Sequence, residues 1–176
     1  MRRALIHALL AAALLGALST LGDFVWANWQ LRHRMVYGLV HGAVICLGIG
    51  AVIGARQGRL AAGLAAGPVV GVLAAGTFYL LAPALRYSAM FPAWMLFWLC
   101  FGILQARLTG DRRIGPAIAR GFAAAVLSGI AFYLVSGMWT SPPRGGPDYP
   151  RFLLNWTFAF FPGFAALFWM TGAKKQ

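Results

Sequence analysis

Acidic side chains are almost missing from this chain: its 176 residues include three Asp and no Glu, with only three His and two Cys. General acid–base catalysis needs carboxylates or imidazoles that converge on one substrate. Asp23, Asp111, Asp148 and the histidines His7, His33 and His41 are scattered, so an enzyme is the least supported class. No zinc signature, nucleophile elbow or phosphate loop is present. His7 and His41 fall near opposite ends of their segments, well over ~10 Å apart along a membrane normal, too far to ligate one haem iron. Cys46 and Cys100 lie near the middle of two different segments and read as small apolar residues. No cofactor or metal is expected.

What the chain does have is apolar length, with 61% hydrophobic residues against 10% charged. Six apolar runs can be marked off by the charges between them, at residues 4–26, 35–55, 60–81, 88–108, 116–137 and 152–172. A helix of about 20 such residues crosses a hydrocarbon core roughly 30 Å thick. The expected fold class is therefore all-α: a polytopic transmembrane bundle of six helices in a single integral membrane domain over 1–176. The first run follows Met1-Arg2-Arg3 and is longer than the apolar region of a signal peptide, about 7 to 15 residues, so it is expected to be a retained helix.

A formal charge of +12 would suggest nucleic acid in a soluble protein. Here the basic residues flank apolar segments instead, which makes them reporters of orientation and contacts for anionic lipid headgroups. With the N-terminus inside, Arg2, Arg3, Arg56, Arg59, Arg107, Arg112, Arg113, Arg120, Lys174 and Lys175 fall on the cytoplasmic side. Arg32, Arg34, Arg86, Arg144 and Arg151 fall opposite. The excess predicts both termini in the cytoplasm of a plasma (inner) membrane, with the lipid bilayer as the first partner and no nucleic acid.

Small residues recur at every fourth position at Gly38, Gly42, Cys46, Gly50 and Gly54, at Gly63, Gly67, Gly71 and Ala75, and at Ala117, Gly121, Ala125 and Gly129. Each set forms a ridge on one helix face where a second backbone can approach closely. Helices two and three should form the tightest hairpin. Residues 22–75 also align without a gap on 76–129, pairing Gly22 with Gly76, Cys46 with Cys100 and Gly67 with Gly121. Two readings stay open: a parallel two-helix internal repeat, or shared transmembrane composition.

Aromatic residues crowd the expected outer half, at Trp26, Trp29, Tyr37, Tyr79, Tyr87, Trp94, Tyr133, Trp139, Tyr149 and Trp156. Bulky rings there and glycines within would splay the helices into a cavity open outward; lipid-facing rings are the alternative. Asp23 is the only acid in an apolar run, with Arg32, Arg34 and Arg86 on its side. Arg34, Tyr37 and His41 share one helix face. Asp23, Tyr37, His41 and Arg86 are the candidate ligand-binding residues, with Arg supplying charge and rings supplying stacking area. The competing reading is structural, with Asp23 and an Arg stapling helix ends. Asp111 among Arg112 and Arg113 reads as a local ion pair. The connection 139–151, rich in Pro and Gly, reads as a loop over the outer mouth or a surface for a partner, and Pro162-Gly163 as a kink.

The expected function is a membrane protein that binds or carries a small amphipathic or anionic molecule, such as a lipid, through an aromatic outer cavity containing Arg and His. The alternative is a non-catalytic accessory or assembly subunit that docks another membrane protein.

Overall fold

A computed structural model describes residues 2–29, 32–136 and 147–172, without the side chains at 136 and 170–172. Among the described residues the regular structure is helical throughout, with no strand. The elements are α1 (Arg2–Asn28), α2 (Arg34–Arg56), α3 (Leu60–Leu85), a 3-10 turn (Arg86–Ala89), α4 (Met90–Leu108), α5 (Ile114–Ser136) and α6 (Tyr149–Gly172). Five helical stretches are long and apolar enough to cross a membrane, α3, the 3-10 turn and α4 forming one run over Leu60–Leu108. Large apolar side chains point outward, Leu80 at 80% and Leu134 at 73% exposure. Such surfaces are compatible with an integral membrane protein, in which lipid replaces water around them.

The helices differ from the apolar runs mainly at their ends, where polar groups do the capping. α1 continues to Asn28, whose side-chain amide donates to the Phe24 carbonyl and to the Tyr149 hydroxyl. α3 runs on to Leu85 through Pro83, which forgoes one backbone donor without ending the helix. α4 starts at Met90 because the preceding four residues wind more tightly. α6 starts at Tyr149, inside the stretch expected to be loop. Asp148 accepts from the Arg151 backbone N–H at 3.1 Å as an N-cap, and Pro150 suits a first helical turn. The rest of that loop, 139–146, lies outside the described residues, as do Lys174 and Lys175. α6 continues through Pro162.

The chain packs as two compact units, Met1–Leu31 with Val126–Gln176, and Arg32–Ala125. In the second unit α2 and α3 lie antiparallel with their glycines in backbone contact. Gly50 meets Gly63 and Gly67, and Gly42 meets Gly71. A Cβ added at Gly67 would stand 2.7 Å from Leu47 Cα, closer than real Cβ contacts allow. The glycine ridges of α2 and α3 are thus an interface. The ridge of α5 meets α4 at a residue outside the three ridges: a Cβ at Gly102 would lie 2.6 Å from the Ala117 carbonyl oxygen and 2.9 Å from Gly121 Cα.

Two turns close these pairs alike. After α2 the Arg59 N–H donates to the Gly54 carbonyl at 2.8 Å, with Gly58 at φ +65°. After α4 the Asp111 N–H donates to the Ala106 carbonyl at 2.9 Å, with Gly110 at φ +72°. Both are Schellman-type stops, where the left-handed residue is readily glycine. The expected local pair at Asp111 is present, with Arg113 Nε 3.2 Å from Oδ1.

In the first unit α1 buries Ala8, Ala11, Ala12, Leu15, Gly16 and Ser19, one stripe at three- and four-residue spacing. α6 packs against α1. Gly16 leaves room for Thr157 and the Leu153 carbonyl, so this pair also relies on a missing side chain.

Candidate functional site

Three of the four candidate residues belong to the second unit, at the end where α2 starts and α3 finishes. Tyr37 and His41 lie one turn apart on α2, and their rings stack with centroids 5.8 Å apart and planes at 12°. Both are half-buried. Gly38 lies beneath the Tyr79 ring, and the Tyr79 hydroxyl donates to the Arg34 carbonyl at 3.1 Å. That bond ties the end of α3 to the start of α2. Arg86 follows α3 directly, exposed, with a backbone φ of +51°. A non-glycine residue there carries strain that the surrounding turn must hold.

The structure brings these residues to one end but not to one point. Gly38 faces Tyr79, so at 1.5 Å per residue Arg86 lies about 10 Å beyond Tyr37 along the helix axis and about 15 Å beyond His41. A charged group at the rim and a ring pair deeper in the helix pair are therefore separate features.

Asp23 belongs to the first unit. Its carboxylate accepts a 2.6 Å hydrogen bond from the Trp156 indole N–H, linking α1 to α6. The indole stacks on Phe132 at 5.0 Å and on Phe160 at 6.0 Å. Asn28 donates to the Tyr149 hydroxyl at 2.9 Å at the same end of this pair. The staple expected between Asp23 and an Arg is thus replaced by an indole: among the described residues no Arg bridges Asp23. An indole N–H only donates and a carboxylate only accepts, so the two match as donor and acceptor.

Cys46 is buried, Cys100 half-buried, and both are free thiols. Among the described residues no three His, Cys, Asp or Glu side chains gather as metal ligands would.

Sequence reasoning missed two buried polar residues of the second unit. Gln105 of α4 is 0% exposed and Arg120 of α5 is 7% exposed. The signal was available for Gln105, which follows Trp98 and Phe101 at i+7 and i+4 and so shares their buried face. Arg120 was counted as a flanking charge, although it follows the buried Ala117 by three residues.

Compared with known proteins, the chain matches no protein-family model, no curated protein and no solved structure.

Proposed function

We propose that the protein is a multi-pass membrane protein that binds or carries a small amphipathic or anionic molecule, a lipid among the candidates. The observation that carries this reading is the spacing within the second unit. A cationic rim residue, Arg86, and a stacked pair, Tyr37 and His41, are separated by about the length of a headgroup and the first part of its tail. Arginine suits a phosphate or carboxylate, and stacked rings suit an apolar or planar portion. Asp23, fixed by Trp156, is the polar candidate of the first unit.

In this reading the chain crosses the bilayer six times, with both termini in the cytoplasm of a plasma membrane and the aromatic residues crowded in the outer half. The run Leu60–Leu108 holds 49 residues, about 74 Å of helix, more than twice the hydrocarbon thickness. It has a turn at Arg86–Ala89, and α3 packs on α4. The two Schellman-type turns and the glycine-packed pairs they close support a parallel repeat of two helices in which α3 and α5 match at 54 residues (Gly67 with Gly121) but α2 and α4 match at 52 (Gly50 with Gly102), two fewer than the ungapped alignment.

Native mass spectrometry of gently extracted protein tests the function. A bound small molecule is expected on the single chain, with occupancy falling about tenfold, a loss of ~1.4 kcal/mol, in Arg86→Ala and His41→Ala. Both variants should express and unfold like the parent. A bare chain, or one carrying a stoichiometric protein instead, would replace this reading with that of an accessory subunit.

A further inference from the structure

The second unit buries a cation whose Nε meets no acceptor. Arg120 is 7% exposed, and its Nε is buried without an acceptor. Gln105 is fully buried, and neither its amide oxygen nor its amide nitrogen has a hydrogen-bond partner. Buried polar groups are nearly always satisfied, and an isolated charge in a membrane-spanning helix is costly. Asp111, the acid of this unit, is paired with Arg113 and leaves Arg120 Nε without an acceptor, and Asp23 and Asp148 belong to the other unit.

The two side chains are placed to meet. Gly102 packs on Ala117 and Gly121, and Gly121 on Trp98 and Leu99, which sets α4 and α5 antiparallel. In that register Gln105 and Arg120 are about 7 Å apart along the axis. Helical side chains lean toward their own N-terminus, so in an antiparallel pair these two lean toward each other. Gln105 lies three residues from the end of α4 and Arg120 six residues into α5. That is the end where α2 also stops and where exposed Arg59, Arg107 and Arg112 raise the local positive potential.

We propose that Arg120 and Gln105 form a second ligand site, at the opposite end of this unit from Tyr37 and Arg86, which takes a phosphate-type oxyanion. Arg120 Nε and the Gln105 amide N–H donate to the anion, and the Gln105 carbonyl accepts from the remaining guanidinium N–H groups. The oxyanion is either a phospholipid headgroup or free phosphate, since the same donors serve both.

The test is thermal unfolding of the full chain in non-ionic detergent, followed by tryptophan fluorescence. One arm titrates sodium phosphate against sodium chloride at equal ionic strength. The other adds dioleoylphosphatidylglycerol against dioleoylphosphatidylcholine. A raised midpoint is expected in at least one arm, and which arm responds tells the free anion from the headgroup. Arg120→Gln should raise the half-saturating concentration about tenfold or more, whereas Arg32→Gln, which removes an exposed charge at the other end, should leave it unchanged. Gln105→Leu guards against an unfolded Arg120 variant. Without anion it should unfold no earlier than the parent, because it deletes two orphaned polar atoms, yet it should bind anion more weakly. No midpoint shift in either arm would overturn the site, as would a wild-type response in Arg120→Gln or, failing its expression, in Gln105→Leu.

Discussion

Asp23 illustrates how a single scarce residue gains a partner that its sequence neighbours do not reveal. The acid stands out because a charge within an apolar helix is costly to leave alone. Its partner lies 133 positions away, on α6. Nearby arginines made an ion pair the natural expectation, but one-dimensional reading orders residues by side of the membrane, not by which helix faces which. The indole N–H at 2.6 Å is a charge-assisted bond, and removing the donor strands a half-buried carboxylate. Trp156→Phe is therefore expected to lower stability by ~1–3 kcal/mol. Trp169→Phe, at an exposed position, should change stability by less than about 0.5 kcal/mol. Urea or thermal unfolding of both variants in one detergent checks this, and equal midpoints would mean that the Asp23 bond adds nothing net.

Glycine spacing made the helix pairs legible, because a residue type repeated every fourth position must line one face of a 3.6-residue helix whatever surrounds it. Which helix the ridge meets was legible for α2 and α3, joined by a tight turn. It was less so for α5, whose ridge meets a lone glycine, Gly102, in a helix otherwise rich in aromatics. Helix ends were the least legible feature, since hydropathy registers apolar length and is blind to caps such as Asp148. The ridges also separate two kinds of glycine. Gly67 has no room for a methyl group, whereas Gly76 of the same helix has open space where a Cβ would go. Gly67→Ala should cost ~1–3 kcal/mol by forcing the two backbones apart, and Gly67→Leu more. Gly76→Ala should instead stabilise by ~0.5–1 kcal/mol, because it reduces the freedom of the unfolded chain without a clash. Opposite signs for two Gly→Ala changes in one helix cannot arise from helix propensity alone. If both changes shifted the unfolding midpoint the same way, the close approach of α2 and α3 would not be a source of stability.

For the molecule as a whole, composition is the stronger guide: a chain with this little acid and this much exposed apolar surface is suited to lipid, and its charge asymmetry then proposes an orientation. That orientation follows from counting arginines and lysines, not from packing, because a helix pair packs identically whichever way it is inserted. It is also testable independently of any ligand. In a background with Cys46→Ala and Cys100→Ala, single cysteines at Gln57, between α2 and α3, and at Tyr87, in the turn between α3 and α4, sample the two ends of α3. Tyr87 is 68% exposed, so access there depends on the side of the membrane and not on burial. α3 has 26 residues, about 39 Å, which more than spans a 30 Å core. The two positions must therefore emerge on opposite faces if α3 crosses. A membrane-impermeant maleimide added to intact cells should modify Tyr87→Cys and leave Gln57→Cys unmodified until the membrane is opened. Labelling of Gln57→Cys alone would invert the orientation and move the Arg86 rim to the cytoplasm. Labelling of both in intact cells would mean that α3 does not cross, and the six-span reading would fail with it, because α3 and α4 could no longer be two passes of one 49-residue run.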